Sequence, residues 1–585
     1  MSSISNTDIE DPLDWRIALG ASGLLRIFNE AGLLESADVH VAQRLTVLAG
    51  EHGNSNGAVA LAVALAARAL RGGSVCVDLH TVATDSGIPD LPWPDPTTWL
   101  AALRASPLLG EPPVLRLYDD RLLYLDRYWR EEEQVCADLL ALSVPTARVE
   151  ISGYERLFPP QFAEQRAAAE IALSQAVTVL TGGPGTGKTT TVARLLALLA
   201  EQAGVSGTPG LRIALAAPTG KAAARLTQAV AVEVGELDAG DRERLSDLHA
   251  VTLHRLLGSR PDTSTRFRHH RGNRLPHDVI VVDETSMVSL TMMARLLEAV
   301  RPDARLILVG DADQLASVEA GAVLADLVDG LSARSDVRVA TLRTSHRFGA
   351  AIGALAEAVR LGDTDEVLAL LRSGDEHVEF IEDSDPTARL RAIVLPHALR
   401  LREAARLGAT DVALATLDEH RLLCAHRQGL CGVQHWNQQV HNWLAEETDQ
   451  PAWSQWYAGR PLLVTANDYG LRVYNGDTGV VVAGPDGLRA VIAGAAGPVS
   501  LATSRLSDIE TMHAMTIHKS QGSQADAVTV LVPPQDSRLL TRELFYTAVT
   551  RAKTKVRVVG SETEVAAALE RRAVRATGLR LRLQT

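Results

Sequence analysis

Eight consecutive residues limit what this chain can fold into more than any other segment. Gly182, Gly183, Pro184, Gly185, Thr186, Gly187, Lys188 and Thr189 satisfy the pattern G-x-x-x-x-G-K-[ST], and Thr190 follows directly. They stand between a short apolar run at 176–180 (AVTVL) and helical spacing from about 189 to 200. Strand, glycine turn and helix together open an α/β sheet. The glycines let backbone N–H groups wrap a phosphate at the positive end of the helix. Lys188 is placed to reach the β and γ phosphates of a nucleotide, and the Thr189 hydroxyl to ligate Mg²⁺. Further buried runs at 212–216, 279–282 and 305–309 are each followed by loop residues and a helical pattern. That spacing predicts parallel βαβ units.

The apolar run 279–282 (VIVV) ends in Asp283 and Glu284, so two carboxylates leave the carboxyl edge of the predicted sheet, where open α/β sheets bind ligands. Asp283 is expected in the Mg²⁺ shell and Glu284 as the base for the attacking water. Gln314 follows the next strand and is placed to orient that water or sense the γ-phosphate. An exposed loop glutamine is the plainer alternative. These residues define an Mg²⁺-dependent nucleoside triphosphatase and leave the use of hydrolysis open.

Composition narrows that use. At roughly 150 residues per domain, the 585 residues predict about four domains. The net charge is −13, from 58 Lys plus Arg against 71 Asp plus Glu. A chain that coats nucleic acid non-specifically is therefore excluded, and any contact with DNA is confined to a local groove. Cys76, Cys136, Cys424 and Cys431 form no C-x-x-C pair and no zinc spacing, which fits a reduced cytoplasm and packed thiols. The first residues are polar and acidic, unlike a secretory signal, and the longest apolar run, 57–70, falls short of the ~20 residues of a membrane span. It reads as a buried helix.

The first 120 or so residues read as helical, with proline-rich breaks at 89–96 and 112–113, and form a separate N-terminal domain. Helical patterns follow Arg347. Residues 458–501, rich in Gly, Val and Asn-Gly or Asp-Gly turns, predict a small β-barrel-like insert. Residues 260–274 carry five arginines and two histidines. They read equally as a hairpin that meets DNA and as a solvated basic loop.

Several further segments, in chain order, resemble the RecD family of superfamily 1 DNA helicases. Pro218, Thr219, Gly220 and Lys221 resemble motif Ia, and residues 252–257 (TLHRLL, with His254) the Ib element. Residues 310–321 (GDADQLASVEAG) are similar to motif III, and 345–348 (SHRF, with Arg347) to motif IV. Asn475 opens an N-G-D-x-G turn. Residues 515–524 (MTIHKSQGSQ, with Thr516, His518 and Lys519) are similar to motif V, and 546–553 (YTAVTRAK, with Arg551) to motif VI. The resemblance spans residues 165 to 553.

It implies two RecA-like parallel-sheet motor domains, at 126–342 with a small insert at 258–276, and at 343–455 joined by 513–585. A helical N-terminal domain at 1–125 and a β-rich, SH3-like insert at 456–512 complete the chain. It further implies ATP as the nucleotide, with Gln165 reading the adenine. Arg347 and Arg551 then reach across the cleft to the transferring phosphate, as guanidinium forks can. Single-stranded DNA lies on Pro218, Thr219, Lys221, His254, Asn475, Thr516, His518 and Lys519, and movement runs 5′ to 3′.

Two groups of helicase share these motifs. One stands alone behind helix-hairpin-helix repeats; the other is the α subunit of the RecBCD complex, exodeoxyribonuclease V. The N-terminal 120 residues lack repeated hairpin glycines, and 124–129 (YLDRYW) resembles the RecBCD subunit. The reading adopted is a subunit acting on single-stranded DNA and duplex ends with RecB-like and RecC-like partners, without a membrane, in break repair and recombination. Nuclease activity then belongs to a partner. A stand-alone helicase and a regulatory subunit with a switching ATPase are the alternatives.

Overall fold

The computed structural model describes residues 16–51, 57–143, 154–205, 210–260, 263–334, 337–345, 349–383, 385–448, 454–468, 470–494 and 497–584. Two parallel sheets organise the chain. The first has six strands in the spatial order Ala340–Leu342, Val177–Gly182, Arg305–Gly310, Val279–Val282, Ile213–Ala217, Ala250–Thr252, with every pairing parallel. Its strands alternate faces with the period of two that pleating imposes. Val177, Val179, Ile280, Val282, Leu306 and Leu308 enter one apolar cluster, whereas Leu180, Val279, Val281, Ile307 and Val309 enter another. Both faces are therefore covered, by helices such as Lys188–Val205 and Gly220–Gly235 on one side and Leu290–Ala299 and Val323–Ser332 on the other.

The second sheet has five strands in the order Val378–Ile381, Ala552–Val559, Ala525–Leu531, His420–Cys424, Ala514–Thr516, again all parallel. Numbered by position in the chain, this order is 1-5-4-2-3. The first sheet runs 6-1-5-4-2-3, so its first five strands repeat the same arrangement. The chain thus builds one motor topology twice, as the two-motor expectation required.

Between the helix Val433–Thr448 of the second unit and its strand Ala514–Thr516, an antiparallel five-stranded sheet runs in the order Gly497–Ala502, Gly487–Gly494, Thr478–Gly484, Pro461–Val464, Ile509–Thr511. Its small core contains Leu462, Val464, Val473, Val481 and Ile492.

The N-terminal region is helical, as its spacing predicts, and the apolar run forms the buried helix Gly57–Arg71. It also holds a three-stranded antiparallel sheet of Cys76–Asp78, Leu115–Tyr118 and Leu122–Leu125. These strands are only three or four residues long, too short for alternation to stand out in the sequence. The four cysteines are free thiols, and burial raises the pKa of Cys76 and Cys424. Among the described residues no helix is long and apolar enough to cross a membrane.

The C-terminal segment 571–584 carries Arg571, Arg572, Arg575, Arg580 and Arg582. It returns from the second motor to the first and to the N-terminal sheet. Arg575 donates to the carbonyls of Ser317, Glu319 and Gly321, while Ala576 accepts from the Val75 amide at 3.0 Å. Arg582 stacks over Tyr118 and Trp129 and donates to the fully buried Glu132, which also accepts from the Tyr124 hydroxyl at 2.8 Å and the Thr577 hydroxyl at 2.7 Å. A buried carboxylate with this many donors is satisfied, so the tail ties three parts of the chain together.

Candidate nucleotide cleft and strand track

The phosphate loop takes the shape its glycines permit. Gly185 and Gly187 lie in the left-handed region, φ +79° and +84°, and a Cβ on Gly187 would stand 3.0 Å from Gln165 Nε2. Gln165 is buried and donates to the Thr186 carbonyl at 3.2 Å. From there it braces the loop. Lys188 Nζ donates to the carbonyls of Gly182 (2.6 Å) and Gly183 (2.9 Å), so its ammonium folds back across the loop. Thr190 donates to Glu233 at 2.8 Å.

A cavity of about 680 Å³ opens above the loop, within the range of nucleotide-sized sites. The first motor contributes Gln165, Lys188, Thr189, Asp283, Glu284 and Gln314 to its wall, and the second contributes Gln524 and Arg551. Asp283 has its pKa pushed up to about 6, first by burial and then by the adjacent Glu284. Glu284 itself holds φ +50°, a left-handed conformation unusual for a residue with a side chain. Such strain collects at functional positions. The donor set fits a magnesium nucleotide: the adjacent Asp283 and Glu284 carboxylates and the Thr189 hydroxyl line the same cavity. Among the described residues no group of three or more His, Cys, Asp or Glu could cage a metal alone.

Gln314 is buried, not a free loop residue. Its Nε2 donates to Asp311 at 2.8 Å and its Oε1 accepts from Arg551 Nη2 at 3.1 Å. Arg551 is 3% exposed and also donates to the carbonyls of Thr547 and Ser523. Burial lowers its pKa from the usual arginine range. Arg347 lies outside the described residues; Ser345, two positions earlier, donates to the Pro184 carbonyl at 3.1 Å.

Asp311 and Tyr546 lie in the segments 310–321 and 546–553 with no individual role expected of them, and Arg225 lies outside every motif segment. The Tyr546 hydroxyl donates to Asp311 at 3.3 Å across the two motors, and Arg225 donates to the Gly522 carbonyl at 3.4 Å. The position of Arg225 four residues after Lys221, on the same helix face, was the available signal.

The expected strand contacts fall into separate places. Thr219 spends its hydroxyl as the N-cap of helix Gly220–Gly235, accepting from the Ala222 amide at 3.2 Å. A Cβ on Gly220 would meet Tyr474 at 2.9 Å, so Tyr474, beside Asn475 in the insert, packs on Gly220 between Thr219 and Lys221. Lys221 has its pKa lowered to about 8 by burial and by Arg421. Thr516 and Lys519 line a different hollow, and His518 is half-buried beside them. His254 is not brought to either group; its ring packs edge-on to Phe267 at 5.8 Å. Residues Ser259–Arg260 and Thr263–Phe267 do pair as a hairpin, and Arg271 just beyond it is tied to Asp138 at 2.7 Å.

Two stacked motors with one phosphate loop, and a cleft completed by an arginine from the second motor, define a superfamily 1 motor, an ATP-dependent DNA helicase. Residues 165–320 match the family described as AAA domain, 511–559 the UvrD-like helicase C-terminal domain, and 30–122 the N-terminal domain of RecBCD enzyme subunit RecD. The chain is 74% identical over 572 residues to RecBCD enzyme subunit RecD of Mycobacterium tuberculosis, covering 98% of this chain and 99% of that protein. The chain belongs to the RecD family. It is also 31% identical to the ATP-dependent RecD2 DNA helicase of Deinococcus radiodurans, over 77% of this chain and 57% of that one. Among solved structures, Bacteroides Pif1 bound to ssDNA matches 68% of this chain and 91% of its own, at 18% identity and a TM-score of 0.39.

Proposed function

We propose that the chain is the 5′-to-3′ motor subunit of a helicase–nuclease assembled with RecB-like and RecC-like chains, working in the cytoplasm on duplex ends during break repair. The observation that carries this reading is the full-length identity to a RecBCD subunit, together with residues 30–122 matching that subunit's N-terminal domain. The domain limits proposed are 1–125, 126–342, 343–455 with 513–585, and 456–512.

In this reading ATP occupies the cleft with Gln165 at its adenine end, and Thr189 and Asp283 would hold Mg²⁺, whose charge would offset that of the phosphates. Lys188 leaves the loop carbonyls for the β and γ phosphates. Glu284 takes a proton from the attacking water, which the Gln314 amide orients. Arg551 stabilises the transition state once the motors close, and Arg347 is assigned the same role from the sequence. Exchange of Arg551 and Gln314 between each other and the nucleotide links hydrolysis to motor closure, and so to the residues that grip DNA. Those grips are to backbone, with little sequence information. Opening a base-pair step takes about 1.4 kcal/mol, so directional unwinding needs this coupling.

Strand displacement on a fork with a 5′ tail, with wild type and Lys188→Ala in the reconstituted complex, tests the proposal. Loss of unwinding from the 5′ tail is expected. Equal unwinding by both overturns it, and full activity of an isolated wild-type monomer favours a stand-alone enzyme.

A further inference from the structure

Glu510 lies on the last strand of the insert, Ile509–Thr511, where the chain re-enters the second motor. Its carboxylate holds two cations at once: Oε1 accepts from Arg427 Nη2 at 2.9 Å and Oε2 from Lys519 Nζ at 2.7 Å. Arg427 comes from the loop after strand His420–Cys424, and Lys519 from the short 3-10 helix His518–Ser520 that follows Ala514–Thr516. The Lys519 backbone is fixed in turn by the Thr516 hydroxyl, which accepts its amide at 3.3 Å. The three charged groups stand at the wall of a hollow of about 470 Å³ that also includes Gln434, Gln438 and Tyr457. A second hollow of about 560 Å³, lined by His426, Arg427, Gln428 and Gln434, shares Arg427 and Gln434 with the first. Arg427 is thus a partition in an open groove, with side-chain exposure of 66% against 36% for Glu510 and 31% for Lys519.

One carboxylate bridging two cations from different segments, at the carboxyl edge of a parallel sheet, has the charge and the acceptor geometry of a phosphodiester. Arg and Lys from separate elements are the usual pair for backbone phosphate. We infer that Arg427 and Lys519 form a phosphodiester site for single-stranded DNA, and that Glu510 is its resident placeholder, displaced when a backbone phosphate enters. The hollow behind gives room for the nucleotide that carries the phosphate. The site rests on the proposed strand-translocating function and adds Arg427 and Glu510 to it. Exchange of one anion for another leaves the net gain per phosphate small, which suits a strand that must be released at every step.

The test is binding of fluorescein-labelled oligothymidylate to the full chain, followed by anisotropy across a salt series. Glu510→Gln keeps the shape and removes the competing charge, and tightens binding about fivefold, the scale of partly exposed ion pairs. Glu510→Asp gives a smaller tightening. Arg427→Gln weakens binding about fivefold and reduces the salt slope by about 0.7, the value of one single-strand phosphate contact. Glu382→Gln, which removes a carboxylate paired with Arg372 on strand Val378–Ile381's side of the same sheet, leaves affinity unchanged. Unchanged or weaker binding by Glu510→Gln overturns the site, as does equal tightening by Glu382→Gln. No oligothymidylate binding by wild type would instead overturn the function on which the site rests.

Discussion

The nucleotide cleft and the strand groove both present cations with resident partners, but the partners differ in kind. In the cleft, Lys188 rests on two backbone carbonyls and Arg551 on an amide oxygen and carbonyls. In the groove, Arg427 and Lys519 rest on a carboxylate. Neutral acceptors at hydrogen-bond distance do not cancel a cation's charge; the Asp283, Glu284 and Asp311 carboxylates also draw on Lys188 and Arg551, and burial strengthens what an arriving triphosphate gains from the two cations. A carboxylate cancels the charge beforehand, and in a half-exposed groove the exchange for phosphate is nearly even. One chain thereby grips a nucleotide firmly enough for chemistry and a strand loosely enough to move along it.

The hardest blow to this contrast comes from Arg551. Arg551→Ala is expected to lower kcat for DNA-stimulated ATP hydrolysis about a thousandfold with little change in KM. Arg551→Lys should recover little, because a point charge does not reproduce the fork that spans Gln314 and the phosphate. A tenfold loss or less in steady-state kinetics would mean that burial adds nothing to this cation and would break the comparison.

A smaller effect concerns Lys221, whose pKa is lowered to about 8 by burial and Arg421, with Asp418, Asp477 and Arg225 as the other charges facing it. A lysine with a lowered pKa is charged at pH 7 and loses its proton as pH rises through 8. Phosphate binding favours the protonated form, so affinity for oligothymidylate should fall about tenfold from pH 7 to pH 9. Lys221→Arg should flatten that profile. A wild-type profile that is already flat would remove Lys221 from the track.

The smallest expected change sharpens the cleft side alone. Gln165→Ala should raise KM for ATP about fivefold, the scale of one net hydrogen bond, and narrow the preference for ATP over GTP. If KM rises equally for both nucleotides, Gln165 only braces Thr186 and reads no base.

Much of this molecule could be read from order along the chain. The strand Val279–Val282 matches its apolar run residue for residue, and the phosphate loop sits between strand and helix as its glycines require. Local patterns carry such features because burial on both faces of a parallel strand leaves an unbroken apolar run. The short edge strands Ala250–Thr252 and Ala340–Leu342 left no such trace, and neither did the N-terminal sheet.

By itself the sequence determined that this is a nucleotide-driven α/β motor, because phosphate binding needs glycines, a lysine and a hydroxyl at fixed spacing on contiguous chain. Only the tertiary structure decided which cations are held by which acceptors. Arg551 meets Gln314 from 237 positions away, Arg427 meets Glu510 from 83, and Arg582 meets Glu132 from 450. No local pattern encodes such pairings, since they arise where two sheets, an insert and a returning tail fold against one another, and burial there sets the strength of each charge.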